Sequence, residues 1–123
     1  MARFAANVEA IKTLRLLEAE NRPAAASEQA VLAAWSGWGA AGLADVFDER
    51  TPTHAARREV LRELLSEAEY AAAQRTTLNA HYTDPQITAA VWDAVQALGF
   101  RGGRVLEPGC GAGVFLGMAP EGC

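Results

Sequence analysis

Apolar residues recur every three or four positions along most of the chain before Gly102, and that period restricts it to helices packed on one another. Phe4, Val8, Ile11, Leu14 and Leu17 form the first such stripe, predicting a helix from Phe4 to about Glu20 that ends before Pro23. Ser27 is the expected N-cap of a second helix carrying Val31, Ala34, Trp35 and Trp38 on one face, broken by Gly37 and Gly39. Gly42 to Pro52 has no clear period and reads as a loop tucking an apolar residue or two inward. A third helix is expected from about His54 to Leu65, with Val60, Leu61, Leu64 and Leu65 facing inward. Ser66-Glu67-Ala68-Glu69 has the form of a capping box opening a short helix through Arg75. Thr83-Asp84-Pro85 starts another, with Ile87, Ala90, Val91, Ala94, Val95 and Leu98 as its buried stripe and Gly99 after its end.

Composition supports this pattern and excludes several classes. The 123 residues include 27 alanines, the best helix former, and half the chain is apolar, which is too much for a disordered tail. No apolar run approaches the roughly 20 residues needed to span a bilayer, and the N-terminus lacks a signal-peptide pattern, so a cytoplasmic protein is expected. Net charge is −4, which does not draw a chain onto nucleic acid through bulk electrostatics. Two cysteines, Cys110 and Cys123, build neither a disulfide scaffold nor a zinc pair.

After Gly102-Gly103 the period changes. Arg104-Val105-Leu106-Glu107 is the one segment patterned as a strand, followed by Pro108-Gly109-Cys110-Gly111-Ala112-Gly113 and a helical start at Val114-Phe115-Leu116. Alternate glycines let a backbone take φ > 0 and approach a ligand, and a following helix offers free N–H groups to an anion. A dinucleotide fingerprint would place glycine where Val114 stands. The run instead reads E-x-G-x-G-x-G. An acid in that place suits a ligand with an ammonium or hydroxyl near its carboxylate.

At these residues the segment resembles motif I of the S-adenosylmethionine-dependent methyltransferases. Leu78-Asn79-Ala80-His81-Tyr82-Thr83-Asp84-Pro85 resembles motif X of amino-methylating DNA methyltransferases, with Asp84 as an extra residue that shifts the threonine's register. Together with Trp35-Ser36-Gly37-Trp38-Gly39, Glu67-Ala68-Glu69-Tyr70 and Gly103–Pro108, the chain is similar to the large methylase–helicase fusions of phages and mobile elements. The resemblance implies a helical region at 1–76 and, at 77–123, the start of an α/β Rossmann-like methyltransferase domain. It implies S-adenosylmethionine as cofactor, held by Glu107, Gly109, Gly111 and Gly113 and then by Tyr82 and Thr83. It implies DNA as partner of a larger parent that methylates the exocyclic amine of adenine, and it assigns no catalytic residue here. An Asn/Asp-Pro-Pro-Tyr/Phe loop is missing and ten residues follow Gly113, so this chain is expected to be the inactive front end of that parent.

Other residues take structural readings. His81 reads as a partly buried loop histidine, Trp35 and Trp38 as core packing, and Cys110 as a small filler. Arg57, Arg58 and Arg62, interleaved with Glu59 and Glu63, read as a solvated helical face. A second function class also fits the alanine-rich amphipathic pattern: a non-enzymatic helical interaction module whose glycine loop serves packing only.

Overall fold

The computed structural model describes residues 2–78 and 82–123. Among the described residues six α-helices make up the regular structure: α1 (Ala2–Glu20), α2 (Ala26–Ala33), α3 (Ala55–Leu64), α4 (Glu67–Thr76), α5 (Pro85–Ala97) and α6 (Val114–Gly117). Two 3₁₀ turns, Ala44–Phe47 and Pro52–His54, lie between α2 and α3. The chain divides into two compact units, Met1–His81 and Tyr82–Cys123. The described residues contain no strand, and no helix among them is long and apolar enough to cross a membrane.

That overturns the expected α/β fold. Arg104-Val105-Leu106-Glu107 is irregular rather than a strand, with Leu106 88% exposed. A strand is stable only when a neighbour completes its ladder, and the described residues supply none. Nearby, the Gly103 N–H instead donates to the Gly122 carbonyl at 2.8 Å.

The first unit is built around an aromatic core. Val8, Trp38, Leu43, Val46, Phe47, Leu61 and Ala73 are buried together, flanked by partly buried Phe4, Ile11, Trp35 and Tyr70. Trp38 stands edge-on to both Trp35 and Phe47, each with ring centroids 5.5 Å away, and Phe47 meets Tyr70 at 5.3 Å. Such tilted pairs add to the burial of large rings. The tryptophans therefore pack the core, although α2 ends at Ala33 and neither lies on it. The loop after Gly42 buries three residues, Leu43, Val46 and Phe47, because its 3₁₀ turn folds them back onto α3.

Local signals set most helix ends. Ser66 caps α4: its hydroxyl accepts the Glu69 N–H at 3.3 Å, while the Glu69 carboxylate accepts the Ser66 N–H at 2.8 Å. Helix α2 starts two residues earlier than expected, after Ala25 rather than Ser27, because the Glu28 carboxylate accepts the Ala25 N–H at 2.8 Å. Arg58 is not on a solvated face. It is 5% exposed and its guanidinium donates to the carbonyls of Val46, Asp48 and Thr51 at 3.0–3.2 Å, tying the turns before α3 to that helix. Arg57 lies over the Phe4 ring at 5.4 Å, and Arg62 pairs with Glu49 and Glu59.

Candidate functional site

In the second unit α5 is the longest element, and its start explains a residue the motif comparison left over. Asp84 is the N-cap: its carboxylate accepts the Gln86 N–H at 2.8 Å, and Pro85 occupies the first helical position. Which face of α5 turns inward is decided by its largest ring. The Trp92 indole N–H donates to the Phe115 carbonyl at 3.1 Å, and its ring lies 6.2 Å from that of Phe100. Thr88, one turn before Trp92, is fully buried, with its hydroxyl turned to the Asp84 carbonyl at 3.4 Å.

This rotation corrects the expected buried stripe. Ile87 is 58% exposed, Val91 41% and Leu98 89%, and Ala90 and Ala94 are exposed beside them. Of the six residues expected inside, only Val95 is half-buried. The indole hydrogen bond to the Phe115 carbonyl and the ring contact with Phe100 hold α5 in this orientation, against the larger apolar area of the other face. Among the described residues of the second unit, none covers this apolar stripe of α5.

The glycine run forms compact turns. Glu107 is half-buried and its carboxylate accepts the Gly109 N–H at 2.8 Å, closing a local turn on its own backbone. Gly111 has φ +50°, and a Cβ there would stand 3.0 Å from Cδ1 of Tyr82, so the ring packs against the bare glycine. Gly113 has φ +78°, its N–H donates to the Cys110 carbonyl at 2.6 Å, and it precedes α6. Tyr82 is half-buried and Thr83 exposed. The structure thus brings Tyr82 to Gly111 and Glu107 to Gly109. Asn79, Ala80 and His81 of the motif X comparison lie outside the described residues.

A cleft of about 760 Å³ opens within the same unit, lined mainly by Val91, Trp92, Val95, Phe100, Val105 and Phe115, with Arg104 and Glu107 among its polar groups; Val91 thus belongs both to the cleft wall and to the exposed stripe. No group of three His, Cys, Asp or Glu side chains among the described residues is placed to hold a metal. The S-adenosylmethionine expectation is overturned together with the fold it needs. A cofactor of that class binds at the carboxyl end of parallel strands, where a full helix presents its N-terminus. Here an irregular segment precedes the glycines and a four-residue helix follows them. The methyltransferase assignment, for chain and parent alike, loses its structural basis.

Compared with protein-family models, curated proteins and solved structures, the chain gives no match.

Proposed function

We propose that the protein is a non-enzymatic helical interaction module that docks the outer face of α5 against the apolar face of a partner helix. The carrying observation is the exposed stripe Ile87, Ala90, Val91, Ala94 and Leu98, which follows a helical period and contains no charged residue. Such a stripe gains stability only by leaving water, and a helix laid along it is the recurrent solution. The glycine loop then serves packing, as the seating of Tyr82 on Gly111 supports. A cytoplasmic setting belongs to this reading; the free, exposed Cys110 and Cys123 suit a reducing compartment.

A labelled peptide helix with leucine at successive a and d positions tests the reading by fluorescence anisotropy. The full chain is expected to bind it saturably, and Leu98→Glu to weaken binding by about tenfold or more, since a charge would be buried in an apolar seam. Peptide binding that Leu98→Glu leaves unchanged overturns the module.

A further inference from the structure

The outer stripe of α5 has a spacing that a second copy of itself matches. Ile87, Val91, Ala94 and Leu98 are separated by four, three and four residues, the d-a-d-a spacing of a coiled-coil seam. A two-fold axis crossing α5 midway between Trp92 and Asp93 sets Ile87 against Leu98 of a second copy, and Val91 against Ala94 of a second copy. Large then meets large at both ends, while a valine fills the space left by an alanine at the centre. From this we infer that the occupant of the α5 face is a second copy of this chain, packed antiparallel; the inference rests on the module reading above.

Charge supports the same arrangement. Asp84 caps the start of α5 and Arg101 follows its end, with its guanidinium on the Gln96 and Phe100 carbonyls. The two-fold that pairs Ile87 with Leu98 brings Asp84 towards Arg101 of the second copy, and it opposes the two helix dipoles favourably. A parallel pair would instead set Asp84 beside Asp84 and Arg101 beside Arg101. Ala90 and Ala97, the exposed residues beside the stripe, carry no charge, and Asp93 sits on neither seam position. Ala90 and Ala94 are small and exposed, which lets the two backbones approach closely. Trp92 already holds α5 in its helical conformation, so association does not have to nucleate the helix. The seam from Ile87 to Leu98 is roughly 17 Å long, so a weak dimer is expected, dissociating on the order of tens of micromolar.

Sedimentation of the full chain from micromolar to submillimolar concentration tests the inference. A monomer–dimer equilibrium is expected, weakened about tenfold or more by Leu98→Glu. Leu98 is almost fully exposed, so far-UV circular dichroism of that variant should match the parent. Arg101→Glu should also weaken the dimer, more strongly at low salt than at high. For direction, Ile87→Cys and Leu98→Cys are made separately with Cys110 and Cys123 changed to serine. Oxidation of the mixture should join unlike chains, while either variant alone should cross-link poorly. Like-with-like cross-linking through Ile87→Cys overturns the antiparallel pairing. A chain that stays monomeric while binding the leucine-seam peptide overturns the second copy as occupant and leaves the module standing. Failure of both measurements removes both.

Discussion

The side-chain oxygen of Asn7 accepts the backbone N–H of Ser36 at 2.9 Å, across 29 residues of chain. The same oxygen accepts the Ser36 hydroxyl at 3.2 Å, and the Asn7 amide donates to the Gly37 carbonyl at 2.9 Å. Asn7 is fully buried in the middle of α1. It therefore supplies the hydrogen bonds of a turn that helps position Trp38, and it does so from a helix that packs against the same ring through Phe4.

Replacing Asn7 with alanine should be severe. The substitution removes three hydrogen bonds and strands the Ser36 N–H and the Gly37 carbonyl, at about 1–3 kcal/mol per buried group left unpaired. We expect a total loss of about 2–4 kcal/mol in urea unfolding, with tryptophan fluorescence shifting as Trp38 loosens. A change below about 0.5 kcal/mol, the range of ordinary surface substitutions, would show that the turn holds itself.

Tyr70 should respond in the opposite sense. Its hydroxyl is buried with no hydrogen-bond partner among the described residues, while its ring packs on Phe47 and lies under the Arg62 guanidinium at 5.7 Å. Tyr70→Phe keeps both ring contacts and removes an oxygen that was desolvated without return. Stability should hold or rise by up to about 1 kcal/mol, measured by the urea midpoint at unchanged slope. A clear loss would mean that the hydroxyl is paired in solution.

What could be read from the sequence, and what could not, follows the range of each interaction. The Ser66 capping box and Pro85 at the start of α5 are local patterns, complete within four residues, and they form as expected. Arg58 could not be placed in the same way. Its neighbours Arg57, Glu59, Arg62 and Glu63 give it the look of a solvated helix, yet its partners are backbone carbonyls between Val46 and Thr51, which carry no side-chain signature. The strand at Val105 failed for a related reason, since a strand is a property of two segments and its sequence describes one. The outer face of α5 was misread because Thr88, Trp92 and Val95 form a stripe as regular as Ile87, Val91, Ala94 and Leu98. The choice between them lies in the bond from Trp92 to Phe115, 23 residues away. The sequence treats the three alternate glycines alike as places for φ > 0, yet only Gly111 and Gly113 have it, and what approaches Gly111 is the Tyr82 ring.

Acid should weaken the first unit over a defined window. The Ser66 N–H and then the Arg15 guanidinium hold the Glu69 carboxyl down at about 2, against an ordinary value of 4.5. The Arg22 guanidinium and then the Ala25 N–H hold Glu28 down at about 2. Arg50 lowers Asp48 as well. A carboxylate with a lower pKa in the folded state contributes stability that is complete above its unfolded value and is lost as pH falls through the folded one. Urea midpoints should therefore stay level down to about pH 5 and decline towards about pH 2. Glu69→Gln should shallow that decline, and because these pairs are exposed, added salt should shallow it too. A midpoint that is flat across the window would mean that these carboxylates titrate as in the unfolded chain.

The three glycines of the Gly109–Gly113 run should separate under alanine substitution, because they are glycine for different reasons. Gly109 does not have a positive φ, and a Cβ there would meet only the Glu107 carboxylate oxygen at 3.5 Å, an ordinary contact. Gly109→Ala should therefore be close to neutral. Gly113 has φ +78° with open space around it, so alanine brings backbone strain of about 1–2 kcal/mol and no clash. Asparagine, which tolerates the left-handed region better, should recover part of that loss. Gly111 combines both costs: φ is +50°, and the new Cβ would press on Tyr82 at 3.0 and 3.1 Å. Gly111→Ala should be the most destabilising of the three, and Tyr82→Ala in the same chain should relieve part of its effect, since the ring that the methyl displaces is gone. Thermal unfolding of the single variants and the double variant measures that coupling directly. If the effects of Gly111→Ala and Tyr82→Ala simply add, the ring does not rest on the glycine, and the packing role of the loop falls with it.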